Sequence, residues 1–286
     1  FQLFTNYVVR FPTNQLAPVA QKWIADHQFQ SGKFIEAEQG YRRLFENTNL
    51  LANAPDMQWE ARLSAGRSAF FRQEHAAAEL LLASVVNDTN APIAELARAE
   101  FYLGDVAADQ TGRTPTNLLD ALPHYQRVAN EMPNSPLNPS AWGRMGDCHL
   151  QLGNLDSAAE AYRTVTELPS ADVTTRSQAG LGMAHVLDKL AEAAGETEER
   201  EKLRKRSLEQ CMEIVFGGNL RSANEKLDPF WVKEAGLMAG RLARRLGRAE
   251  QERKVYSRLA KELPGMPLWQ AKLDALRVKQ ETSKKP

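Results

Sequence analysis

Apolar positions recur at spacings of three and four in one segment after another, and Gly, Pro or Asn closes each segment. In SAWGRMGDCHLQLGNLDSAAEAYRTVTELPS, Trp142, Met145, His149 and Leu152 fall on one helical face. Gly153-Asn154 breaks that helix; Ala158, Tyr162 and Val165 mark a second face, and Pro169 stops it. Neither short helix buries its stripe alone. Two antiparallel helices joined by a tight turn do, and stacked pairs bury a continuous core.

The same skeleton recurs along the chain. Residues 15–50, 56–90, 91–134, 138–170, 173–217 and 228–264 each read as a helix pair. Residues 1–13 read as the second helix of a truncated pair and 267–280 as a capping helix, all within a single solenoid spanning 1–286. Ala25, Gly66, Gly104, Gly146, Gly182 and Gly240 occupy matching sites on the first helices. Tyr41, Tyr125, Tyr162 and Tyr256 match on the second. The third unit has a turn widened by Thr111 to Asn117. In the fifth, a charged stretch, GETEEREK, separates the two helices, with Glu198–Lys202 and Glu201–Lys205 in helix-supporting i, i+4 order. The pattern predicts helix throughout and no sheet. The chain also begins in mid-pattern, which reads as a piece of something longer.

These residues resemble the tetratricopeptide repeat family. The resemblance implies an all-α fold, a right-handed α-solenoid of antiparallel helix pairs. It further implies a concave groove, lined by the first helices, that takes a segment of another protein. Carrying the family's groove positions over gives Lys22, Asp26, Phe29, Leu63, Arg67, Phe70, Arg98, Phe101, Asp105, Asp147, Arg241 and Arg244 as the partner-binding set. A register slip of one would put Phe71 there in place of Phe70. The phrase RFPTNQLAPVAQKWIADHQFQSGKFIEAE is similar to bacterial envelope repeats, those of the Tol-Pal coordinator and of the outer-membrane barrel assembly lipoprotein. That similarity implies the periplasm or cell envelope, with the cytoplasm as the alternative. The cochaperone branch clamps a C-terminal carboxylate with Lys and Asn on one helix. Here Lys22 is present but Asp26 stands in place of the Asn, and an acid repels a carboxylate, so the clamp is disfavoured.

Charge narrows the partner class. There are 36 Lys+Arg against 36 Asp+Glu, which argues against a nucleic-acid partner, since grip on phosphates needs excess cation. No run of about 18 apolar residues occurs, so no direct membrane insertion is expected. The truncated N-terminal edge leaves self-association open.

Candidate chemistry is sparse. The five histidines include no HExxH pair, and Cys148 and Cys211 form no CxxC. His149 and His185 fall where the family places a packing Tyr and read as packing residues. No phosphate-cradling Gly-rich motif is present. No catalytic residue, cofactor or metal is therefore expected. Arg241, Arg244, Arg245 and Arg248 cluster around one predicted helix end. They read as cations complementing the helix dipole, with a site for an acidic peptide or an anion as the alternative. The expectation is a non-enzymatic protein–protein interaction scaffold. Its alternative is a docking or regulatory portion of a larger enzyme or of a secretion or envelope complex.

Overall fold

The computed structural model describes residues 1–109 and 114–282. Of the widened turn expected at 111–117, residues 111–113 lie outside the described residues. Those described are helical or in short connections, with no strand among them. The chain is an α-solenoid built from sequential antiparallel helix pairs, and it divides into two compact units, Phe1–Ala141 and Trp142–Pro286.

The first unit begins with α1 (Gln2–Arg10), followed by the pair α2 (Ala17–Gln30) and α3 (Phe34–Glu46) and a single turn, α4 (Thr48–Leu51). The pair α5 (Met57–Phe71) and α6 (His75–Val86) comes next. Then come α7 (Ile93–Asp109) and α8 (Pro115–Gln126), which runs into a π-helical turn, Arg127–Glu131. The second unit takes up α9 (Asn138–Leu152) from Trp142 onward. It continues with α10 (Leu155–Glu167), α11 (Val173–Ala193), α12 (Thr197–Phe216), α13 (Pro229–Arg245), α14 (Ala249–Glu262) and α15 (Pro267–Thr282).

Local chemistry sets the helix ends. Thr114, Asp172 and Asp228 accept hydrogen bonds from backbone N–H groups in the first turns of α8, α11 and α13. These caps satisfy donors that have no partner inside a helix. Pro115 and Pro229 then start α8 and α13, where a missing N–H costs nothing. Gly32, Gly153 and Gly247 turn the chain between paired helices with φ of +73°, +79° and +67°; the second pair makes this turn with Gln73, φ 62°. The π-helical turn follows Pro123, which lies inside α8. Buried Asn138 donates Nδ2 to the Ala129 carbonyl at 2.7 Å and ties that turn down.

Within each unit the core is mainly aliphatic, and tyrosine rings of second helices lie directly on the backbone of first helices. Tyr125, Tyr162 and Tyr256 are each no more than 1% exposed. A Cβ added at Gly104 would lie 2.5 Å from the Tyr125 ring, and one at Gly240 2.3 Å from the Tyr256 hydroxyl. Tyr162 is held on two helices at once. Cβ atoms at Gly146 of α9 and Gly182 of α11 would meet its ring at 2.5 and 2.3 Å. Ser207, Cys211 and Ile214 of α12 are buried, and the Ser207 hydroxyl donates to the Ala184 carbonyl at 2.7 Å. Two sequence expectations for the fifth unit change. Most of the charged stretch belongs to α12 itself, and Lys202 pairs with Glu199 at 3.5 Å rather than with Glu198. Three residues separate those two groups, a spacing that faces them as well as four does.

Candidate binding surface

In the first unit the first helices α2, α5 and α7 lie side by side, and their outward positions form one face. At its α2 edge, Lys22 Nζ sits 2.9 Å from Asp26 and 3.2 Å from Glu60 of α5. Burial pulls the Lys22 pKa down, but bonds and charges from Asp26 and Glu60 outweigh this and leave it raised. Lys22 is thus occupied by the protein's own acids. The other Asp26 oxygen accepts from the Tyr41 hydroxyl at 2.7 Å.

The middle of the face is different. The Arg67 guanidinium lies over the Phe29 ring at 5.2 Å and the Tyr102 ring at 5.1 Å. It therefore joins α2, α5 and α7. Cation–π contact satisfies the charge in part and leaves guanidinium N–H groups to donate. Among the described residues, no carboxylate is within ion-pair reach of Arg67. Beside it opens a cavity of about 180 Å³ lined by Phe70, Phe71, Leu82, Tyr102, Asp105 and Val106. Phe71 is 51% exposed; Phe34 stacks on it at 5.2 Å and Phe29 meets it edge-on at 5.4 Å. Phe70 is half-buried and packs edge-on against His75 and Phe71.

The residues expected from sequence therefore scatter. Phe29, Arg67 and Phe70 gather at this cavity, and Asp105 lines it while accepting from Tyr125 at 2.8 Å. Leu63 is fully buried, and Phe101 is 7% exposed against the Tyr125 ring, so both are core. Arg98 pairs with Glu95 at 3.0 Å. Asp147, in the second unit, accepts from Tyr162 at 2.7 Å and Gln178 at 2.9 Å. Burial raises its pKa, against those bonds. Arg244 binds Glu252, itself 2% exposed, with Nε at 3.0 Å. Arg245 reaches Asp188 at 3.3 Å and Arg248 meets Gln251 at 3.2 Å. Arg241 is exposed and has no ion pair among the described residues. Sequence reasoning missed Tyr102. On α7 the face takes Tyr102 in place of its neighbour Phe101, while Asp105 keeps its expected position.

Of the two histidines expected to pack, His149 is half-buried; His185 keeps an exposed edge, yet burial is the largest cause lowering its pKa, ahead of the Arg241 charge and against that of Asp188. Cys148 and Cys211 are buried thiols outside any disulfide, and burial pushes the Cys211 thiol up to about 12. Such a thiol holds its proton and is a poor nucleophile. Among the described residues, no group of three His, Cys, Asp or Glu side chains is placed to hold a metal, and no helix is long and apolar enough to cross a membrane.

Residues 139–172, which form α9, α10 and their turn, match the family model of the tetratricopeptide repeat. A solved structure described as the functional characterization of Pseudomonas aeruginosa pilF aligns with a TM-score of 0.54 at 14% identity. The alignment covers 92% of this chain and 97% of that one. This likeness establishes the architecture, a helical repeat fold. No curated protein matches the sequence.

Proposed function

We propose that the chain is a non-enzymatic scaffold that holds a segment of another protein on the face formed by α2, α5 and α7. One observation carries this reading. Arg67 is stationed between two aromatic rings with no acid in ion-pair reach among the described residues, at the lip of a mainly apolar cavity whose one carboxylate, Asp105, accepts from Tyr125. A cation held over rings in this way is preorganised for a partner's carboxylate, and the cavity beside it takes one apolar side chain. The half-buried aromatics around it are the class of residue that dominates binding energy at interfaces. Leu63, Phe101 and Lys22 are left out of the contact set, since packing or internal ion pairs already engage them. The envelope-type phrasing of residues 10–38 favours a partner in the cell envelope.

Photo-crosslinking tests this. A benzophenone amino acid at Phe71 should capture a discrete partner, whereas the same group at Leu80, exposed on α6, should not. The purified partner should then bind Arg67→Glu at least tenfold more weakly, with an unchanged circular dichroism spectrum. Equal capture from both positions, or undiminished binding by a folded Arg67→Glu protein, would remove this face from the function.

A further inference from the structure

The second unit carries a larger opening that the α2–α5–α7 face does not explain. Between α10 and α12, over α11, lies a cavity of about 410 Å³. Its floor is apolar: Met183, Val186, Leu187 and Leu190 of α11 and Leu203 of α12. Met183 and Leu190 are only half-buried. Their spacing of three, one and three places them on one helical face, and that stripe is partly bare. The cavity reaches solvent along two walls, with exposed Arg163 and Thr166 on α10 and exposed Arg206 and Glu209 on α12.

The two arginines decide what fits. The chain has equal numbers of acids and bases, and most of its arginines near an acid are paired with it. Arg163 and Arg206 are exceptions: among the described residues neither has a carboxylate within ion-pair distance. They face each other across an apolar floor from opposite walls. Glu209, nearly one turn along from Arg206, repels an acid at that point, so the acids of a guest are confined to the positions opposite the two arginines.

We propose that this cavity is a second docking site, for an amphipathic helical segment of a protein partner. The segment inserts two or three large apolar side chains, spaced i and i+3 or i+4, between α10 and α12, and flanks them with Asp or Glu that meet Arg163 and Arg206. A helix laid in an apolar groove, with charge complementing the rim, is an established way for one chain to bind another. Arg163 and Arg206 are exposed, so charge reversal leaves the core untouched.

The test is a selection of random 16-residue peptides displayed on phage against the full chain. Recovered peptides, labelled with fluorescein, are titrated by anisotropy. The expected peptides carry the apolar spacing with flanking acids. Their affinity falls at least tenfold in Arg163→Glu/Arg206→Glu, falls likewise in Leu190→Asp, weakens with added salt, and is unchanged in Arg67→Glu. That last arm separates this site from the face proposed above. The proposal is overturned if no recovered peptide distinguishes wild type from the double variant, or if Leu190→Asp folds and leaves binding intact. It is also overturned if dodecanoate alone binds with the same arginine dependence while no peptide does, which would assign the cavity to an acyl chain.

Discussion

Three glycines within residues 139–172 should answer differently to the same added methyl group. In a helix interior, Gly→Ala is favourable by about 1 kcal/mol, because alanine has less backbone freedom to lose. Gly143 on α9 has nothing within 4 Å of an added Cβ, so Gly143→Ala should stabilise the protein by about 0.5–1 kcal/mol. Gly146, three residues on, has the same helical gain but a different neighbour. Its Cβ would lie 2.5, 2.7 and 2.9 Å from three atoms of the Tyr162 ring. Carbon atoms pack best at about 3.5–4.0 Å, so the ring would have to withdraw by roughly an ångström. It cannot. Gly182 lies against the same ring, and Asp147 holds its hydroxyl. Overpacking of this kind costs about 1–3 kcal/mol against the helical gain of about 1 kcal/mol, so Gly146→Ala should be neutral to a net loss of about 2 kcal/mol. Gly153 has open space but φ of +79°. A Cβ costs about 1–2 kcal/mol in the left-handed region, partly offset by the restricted unfolded chain, so Gly153→Ala should lose about 1 kcal/mol. Urea denaturation of the full chain, followed by circular dichroism, ranks the three variants. If Gly146→Ala raised the midpoint as far as Gly143→Ala, the Tyr162 packing described here would be wrong.

Other consequences are checked as directly. Cys148 and Cys211 are buried, so a disulfide reagent should modify neither in the native protein and both in urea; fast native labelling would contradict the packing of α9 at Cys148 or of α12 at Cys211. Burial lowers the His149 pKa, and its Nδ1 is buried without a hydrogen-bond partner in the structure. Its folded value lies below the ordinary value of about 6.5, so the folded protein binds fewer protons in that interval. Stability should therefore be complete above about pH 6.5 and fall as pH drops through and below it. His149→Gln should flatten that acid limb, and an unchanged limb would clear His149 of the effect. Arg244→Ala strands a carboxylate on the nearly buried Glu252. Arg244 itself is half-exposed, so the expected loss is about 1–2 kcal/mol, between exposed and buried pairs, and adding Glu252→Gln should restore most of it.

The helix pairs were legible because their signals are local. Period-3.6 apolar stripes, turn glycines and the alternation of Gly on one helix with Tyr on the next describe α9 and α10 without any long-range information. The face was less legible, because outward positions were carried over as fixed offsets. An offset fails when one residue shifts, as at Phe101 and Tyr102, and it carries no information on internal partners. Lys22, Arg98 and Arg244 are polar, outward and correctly placed on first helices, yet the protein's own acids hold them. Arg67 differs only in lacking such an acid, which is a property of the packed structure. The α10–α12 cavity had no sequence signal, since its walls come from helices in two repeat units.

A signal for one internal bond was present and unread. Aspartate directly follows the small residue in Ala25-Asp26, Gly104-Asp105 and Gly146-Asp147, and each accepts from a tyrosine hydroxyl of the paired helix at 2.7–2.8 Å. In the last pair Arg241 follows Gly240, and no hydrogen bond to the Tyr256 hydroxyl is found among the described residues. The same ring, equally buried, thus has a bonded hydroxyl at 162 and an unbonded one at 256. Removing it should separate the two. Tyr162→Phe loses a hydrogen bond to a charged group, worth about 1.5–3 kcal/mol, whereas Tyr256→Phe should cost less than about 0.5 kcal/mol. The pH dependence follows from Asp147. Burial raises its folded pKa above the ordinary carboxylate value, and the Tyr162 bond opposes that rise. An acid with a raised folded pKa binds more protons folded than unfolded, so its contribution to stability falls as pH rises toward the folded value. Loss of the hydroxyl raises that value further. The cost of Tyr162→Phe should therefore shrink as pH falls through the folded Asp147 value, where the carboxyl takes up its proton, and grow as pH rises above it. Urea midpoints for both variants across a pH series test the argument. Equal losses at 162 and 256, or a 162 loss independent of pH, would mean that the Asp–Tyr bond contributes nothing to holding the pairs together.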